Sequence, residues 1–258
     1  MERRRRATRA FDVIPAVDLK GGRCVQLRQG KKDAVIFSTT QDPVEIAAHW
    51  VQLGAKRLHI IDLDAALQEK QTNFELVVRI AETIGAQGRA KIEVGGGIRT
   101  YEAAVKLLEL CSGKGVDRII FGTAALHLPE LIRDIVTAFS AQRVMVAFDV
   151  RGGAVAIDGW RELTGVKATE AAQQAEELGA GSLLFTNIDV EGLMRGIEPK
   201  IVQEFVRSVR VPVVIAGGVS SSADIAQIKA AGACGAVLGS ALYKGNLDFA
   251  ALIQQFQE

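Results

Sequence analysis

Two aspartates close two similar apolar runs, Val17-Asp18-Leu19 and Phe148-Asp149-Val150, and each is followed by a glycine pair, Gly21-Gly22 and Gly152-Gly153. A pair of carboxyl groups can serve as a general acid–base couple, one ionised to take a proton and one protonated to give it. An ordinary aspartate titrates near about pKa 4, so burial or substrate charge must raise one of the two. A lone aspartate after a strand more often caps a helix or satisfies backbone. The matched setting of Asp18 and Asp149 favours the couple. The three histidines offer less: His49 and His127 fall in helical patterns and His59 lies inside an apolar run.

Glycine motifs also come in pairs. Val94-Gly95-Gly96-Gly97-Ile98 answers Ala216-Gly217-Gly218-Val219, and Phe121-Gly122-Thr123 answers Leu238-Gly239-Ser240. Without a Cβ, such backbone lets N–H groups approach an anion, and a helix starting there adds further donors. Tight turns alone would explain one such motif. Two copies point to two phosphate sites, at Gly96, Gly97, Gly122 and Thr123 and at Gly217, Gly218, Gly239 and Ser240. The ligand expected is a long molecule with a phosphate at each end. Arg99 is a candidate clamp or a solvated helix-start residue, and Trp160 a stacking surface or a core residue. Thr186, at the end of another apolar run, can hydrogen-bond a reacting group.

Elements that could position these groups recur along the chain. Apolar runs at Val13–Leu19, Leu58–Leu63, Lys91–Val94, Arg118–Phe121, Val144–Phe148, Ser182–Phe185, Pro212–Ala216 and Gly235–Leu238 read as strands buried on both faces. Amphipathic segments separate them. The first opens at Asp42-Pro43-Val44-Glu45, with a cap, a first-turn proline and a reciprocal glutamate, and stops near Gly54. Others are expected at 73–81, 101–110, 128–139, 168–178, 200–209, 223–231 and 247–256. The fold expected is a (β/α)₈ TIM barrel of the α/β class, with an open doubly wound sheet as the alternative. The paired motifs imply two repeated half-barrels. Residues 11–258 then form one barrel, and 1–10 a basic, disordered tail with five arginines.

The chain has 258 residues, is 48% hydrophobic and carries a formal net charge of +1, which gives no electrostatic case for nucleic acid or membrane partners. No apolar run reaches transmembrane length, and the tail lacks the apolar stretch of a secretory signal. Cys24, Cys111 and Cys234 are isolated, with no metal-binding spacing, as in a reducing cytoplasm. No metal or cofactor, a cytoplasmic location and a monomer are expected.

The sequence resembles the phosphoribosylformimino-5-aminoimidazole carboxamide ribotide isomerases of histidine biosynthesis. The resemblance rests on Ile14-Pro15-Ala16-Val17-Asp18-Leu19, Gly21 to Leu27, Gln29-Gly30, Asp42-Pro43, Ile61-Asp62-Leu63-Asp64, Gly95 to Arg99, Asp149 with Arg151-Gly152-Gly153, and Gly217 to Ser220. It covers nearly everything after Arg9. It implies an Amadori rearrangement of an aminoaldose to an aminoketose on a bisphosphorylated ribonucleotide, without cofactor. Asp18 would be the base, Asp149 the acid, Thr186 its helper, and Trp160 the cover over the imidazole carboxamide. Glu191-Gly192-Leu193 stands where many relatives carry Asp-Gly-Thr after a basic residue. The sister cyclase of the pathway, a relative that also isomerises phosphoribosylanthranilate, and a silent phosphate-metabolite barrel are the alternatives. The cyclase pattern expects a lysine where this chain has Gln26-Leu27.

Overall fold

The computed structural model describes residues 10–27, 34–69, 71–157, 159–160, 162–193 and 195–258. The tail through Arg9, the Gln29-Gly30 motif and Asp158 lie outside the described residues.

Eight strands form a parallel ring: β1 (Asp12–Lys20), β2 (Arg57–Asp62), β3 (Lys91–Gly95), β4 (Arg118–Phe121), β5 (Val144–Arg151), β6 (Ser182–Asn187), β7 (Val213–Ala216) and β8 (Gly235–Leu238). Closure is explicit in the register, with Asp12 opposite Gly235 where β1 meets β8 and Asp149 opposite Thr186 where β5 meets β6. An open sheet would leave β1 and β8 unpaired. The chain is therefore a (β/α)₈ barrel. Between strands run α1 (Pro43–Gln52), α2 (Phe74–Ile80), α3 (Tyr101–Leu108), α4 (Pro129–Phe139), α5 (Ala168–Glu177), α6 (Pro199–Ser208) and α7 (Ser222–Ala230), and α8 (Phe249–Phe256) follows β8.

Strand alternation divides the apolar residues into two cores. Outward side chains such as Val13, Val17, Ile60 and Phe148 pack under the helices in one large cluster. Inward ones, Ile14, Ala16, Ile120, Met145, Leu184, Val214 and Val237, fill the barrel. Burial on both faces explains why the strands read as unbroken apolar runs.

At the start of α1 the Asp42 side chain accepts from the Val44 N–H at 3.0 Å, and Pro43 occupies the first turn. Its carboxylate also pairs with Arg79. The reciprocal bond expected from Glu45 is not what completes this start; a full capping box forms instead at Ser221 and Asp224, opening α7. Gly54, at φ +106°, turns the chain out of α1.

Two strands run further than the apolar pattern suggests. Past the barrel rim β1 turns back through Gly21-Gly22 into Arg23–Leu27, which pairs in turn with Val35–Ser38. Likewise β5 turns through Gly152-Gly153 into Ala154–Ile157, which pairs with Glu162–Lys167. All four of these glycines have positive φ, as a two-residue turn between twisted antiparallel strands requires. Neighbouring loops hold both turns: Gly21 N–H donates to Asp64 Oδ2 at 2.6 Å, and Gly152 N–H to Asp189 Oδ2 at 2.9 Å.

Candidate active site

The C-terminal ends of the strands open into one cavity. Asp18, Asp149, Thr186, Arg99, Trp160 and all eight residues of the two glycine motifs line it. A barrel of this type places its chemistry at this face, because the loops after the strands meet there.

Asp18 stands near the end of β1, where Gln26 Nε2 donates to its Oδ2 at 3.2 Å. Burial raises its pKa to about 6, with His59 and the Gln26 bond pulling the other way. Asp149 stands on β5 beside Thr186 on β6. Its carboxylate accepts hydrogen bonds from the Trp160 indole and the Thr186 side chain, yet burial prevails and its pKa is raised. Both carboxyls are thus moved toward neutrality, as an acid–base couple requires.

A third carboxyl shares the mouth. Glu191, from the loop after β6, is pushed up to about 8, by burial first and then by the charges of Asp18 and Asp149. At neutral pH it still holds its proton, unlike Asp18. Nothing in composition or periodicity singles it out. The available signal was its position, since Glu191-Gly192 stands where the resembling family carries Asp-Gly.

The glycine loops have structural reasons as well as room for anions. A Cβ on Gly96 would lie 2.2 Å from the Asp62 carbonyl, and one on Gly217 would lie 2.6 Å from that of Asn187. Both residues have positive φ. Each loop therefore packs backbone against backbone on the neighbouring strand end. Gly122 differs: a Cβ there would meet nothing within 4 Å. Thr123 and Ser240 begin the short helical turns Ala124–His127 and Ser240–Tyr243.

Arg99 is part-buried and tied to a neighbouring segment. Its guanidinium donates to the carbonyls of Ala65 at 3.1 Å and Ala66 at 2.9 Å, holding the short helix Leu63–Ala66 after β2. It still lines the cavity. Trp160 is cavity lining bonded to Asp149 and not a core side chain.

The family described as "Histidine biosynthesis protein" matches residues 12–248. A protein of Methanosarcina barkeri is 47% identical over 248 residues, 96% of this chain and 99% of its own. One of Methanosarcina acetivorans is 48% identical over 245 residues, 95% and 98% of the two chains. One of Archaeoglobus fulgidus is 46% identical over 239 residues, 93% and 95%. All three bear the name 1-(5-phosphoribosyl)-5-((5-phosphoribosylamino)methylideneamino)imidazole-4-carboxamide isomerase.

Proposed function

The chain belongs to the histidine biosynthesis protein family, and from that premise we propose that Asp18, Asp149 and Glu191 carry its chemistry at the barrel mouth. It is an isomerase of the histidine pathway, converting the aminoaldose named by its relatives into the aminoketose by an Amadori rearrangement. The observation that carries the site reading is the meeting of three raised carboxyls in one cavity between two glycine-lined loops.

An acid protonates the ring oxygen of the aminoribose, the C1–O bond breaks, and the substrate nitrogen takes the positive charge as an iminium. Asp18 then removes the C2 proton, and the electron pair moves toward nitrogen to give an enolamine. Protonation at C1 and loss of the proton from the C2 hydroxyl complete the ketose. Nitrogen in the substrate is the electron sink, so the step balances without a cofactor. Asp149, held by Thr186 and Trp160, is the acid implied by the family resemblance. A second reading favours Glu191 as the acid, because it keeps its proton up to about pH 8.

A phosphate at Gly96, Gly97, Gly122 and Thr123 and another at Gly217, Gly218, Gly239 and Ser240 would span the mouth and lay the reacting bond over Asp18. Two repeated half-barrels account for this pairing of sites. Arg99 acts by fixing the loop after β2, and Trp160 both orients Asp149 and covers the imidazole carboxamide. A cytoplasmic monomer fits a small-molecule enzyme with no helix among its described residues able to cross a membrane.

The test is direct: purified protein is incubated with the aminoaldose bisphosphate, and the ketose is followed. Turnover in wild type and its loss in Asp18→Asn support the reading. Binding without turnover in wild type would leave only a phosphate-metabolite binding barrel.

A further inference from the structure

The barrel interior below the mouth carries charge that the mechanism has not used. Glu93 on β3 is fully buried and accepts from Arg118 Nε at 2.8 Å, while Arg118 Nη1 donates to Ser182 Oγ at 3.1 Å. Arg57, one pleat below His59 on β2, reaches Asp117 at 2.6 Å and Asp12 at 3.5 Å, with Glu93 at 3.9 Å. These cations hold the Glu93 carboxyl well below the usual range despite its burial. An ionised Glu93 can only accept, so His59 Nδ1, 2.6 Å from Glu93 Oε1, must carry a hydrogen. The tautomer is thereby set, and the second ring proton can go only to Nε2.

His59 also lines the catalytic cavity. It pairs with Ala16 in the β1–β2 register, one inward position below Asp18. Across the barrel Ala147 holds the corresponding place below Asp149 and also lines the cavity. Both places carry only methyl groups, and the imidazole lines the same cavity.

We propose that His59 is a positioning residue for the reaction: pinned at Nδ1 by Glu93, it offers Nε2 as the one place for a second proton, and the positive charge that such a proton brings lies beneath Asp18 and Asp149. Its charge opposes the burial of each aspartate. The groups facing it are Glu93 from β3, Arg118 from β4, Arg57 on its own strand, and Asp18 and Asp149 above, with Glu191 sharing the mouth. Of these, Asp18 is the one whose ionised form the proton abstraction needs. This role rests on the reading of Asp18 as the base.

His59→Gln keeps an N–H donor for Glu93 and cannot carry the charge. The kcat–pH profile of the variant is compared with wild type, alongside KM and thermal unfolding. The acidic limb is expected to move up by about one pH unit, so kcat falls about tenfold below pH 6 and far less above pH 8, with KM little changed. A fall in kcat by one factor at every pH would make His59 structural only and overturn the proposal. So would a rise in KM at constant kcat, which marks a substrate contact. Should the longer amide disturb folding, His59→Asn carries the same comparison with the same outcomes. Asp18→Asn run in parallel separates the two levels. If it is inactive at every pH while His59→Gln follows the wild-type profile, the proposal fails and the base reading stands. If Asp18→Asn turns over normally, both fall.

Discussion

Gln26 Nε2 lies 3.2 Å from Asp18 Oδ2, joining the hairpin that extends β1 to the carboxyl at the mouth. The same amide accepts through Oε1 from Ser240 Oγ at 3.3 Å, so one side chain touches both the proposed base and a loop proposed to hold phosphate. Gln26→Leu removes the donor that favours ionised Asp18. We expect kcat to fall about tenfold, the loss of roughly one hydrogen bond to a charged group, and the acidic limb of its pH profile to move up. Steady-state kinetics across pH checks this; an unchanged limb would detach Gln26 from the base.

Raising the pKa of a carboxyl costs folding stability, and the sign can be worked out for Asp18. Unfolded, it titrates near 3.8; folded, at about 6. Below pH 4 both states hold the proton and there is no difference. As pH rises through 4 to 6 the unfolded state releases its proton first, so stability is lost, and the full penalty stands above pH 6. Asp18→Asn has no such penalty. It should be more stable than wild type by about 1–2 kcal/mol at pH 7, allowing for solvent at the mouth, with the gain vanishing near pH 4. Urea unfolding at the two pH values measures it.

The glycine loops separate folding from binding. Gly217→Ala meets the Asn187 carbonyl and a φ of +87°, so it should lose about 1–3 kcal/mol of stability. Gly122→Ala meets nothing within 4 Å and should fold normally, to within about 0.5 kcal/mol. If a phosphate rests on that loop, the added methyl intrudes on it and KM should rise about tenfold or more, equivalent to about 1.4 kcal/mol. Unfolding curves and KM for both variants are the measurements. A normal KM for Gly122→Ala would move the anion elsewhere.

What the sequence made legible follows from which signals are local. Each barrel strand is a run of apolar residues buried on both faces, and Asp18 and Asp149 stood out by ending two of them. The hairpins beyond β1 and β5 were missed although Gly21-Gly22 and Gly152-Gly153 signal two-residue turns, because the strands they lead into, Arg23–Leu27 and Ala154–Ile157, are only five and four residues long. Arg99 could not be assigned from its place two residues after Gly97, since its partners, the carbonyls of Ala65 and Ala66, belong to the short helix after β2. His59 was set aside as a strand residue. Its significance depends on Glu93 from the next strand and on methyl groups at Ala16 and Ala147, a coincidence of three strands that no single segment displays.

The identity of the acid is the sharpest test of the site. Base and acid act at different bonds, so their loss leaves different traces. Asp18→Asn should lower kcat by about 10²–10⁴-fold and abolish exchange of the C2 hydrogen with solvent deuterium, because that proton no longer has an acceptor. Loss of the acid instead blocks ring opening, and a pre-opened substrate analogue should bypass it. If Glu191 is the acid, wild type should show a basic limb near pH 8, where the Glu191 carboxyl gives up its proton, and Glu191→Gln should show that bypass and lose the limb. Asp149→Asn would then reduce kcat less and keep the limb. If Asp149 is the acid, Asp149→Asn shows the bypass and the larger fall in kcat, and Glu191→Gln the smaller one. Substrate affinity should change little in any of the three, since the loops proposed to hold the phosphates are untouched. Near-wild-type kcat in both Asp149→Asn and Glu191→Gln would remove the acid from this cluster altogether, while C2 exchange surviving in Asp18→Asn would remove the base.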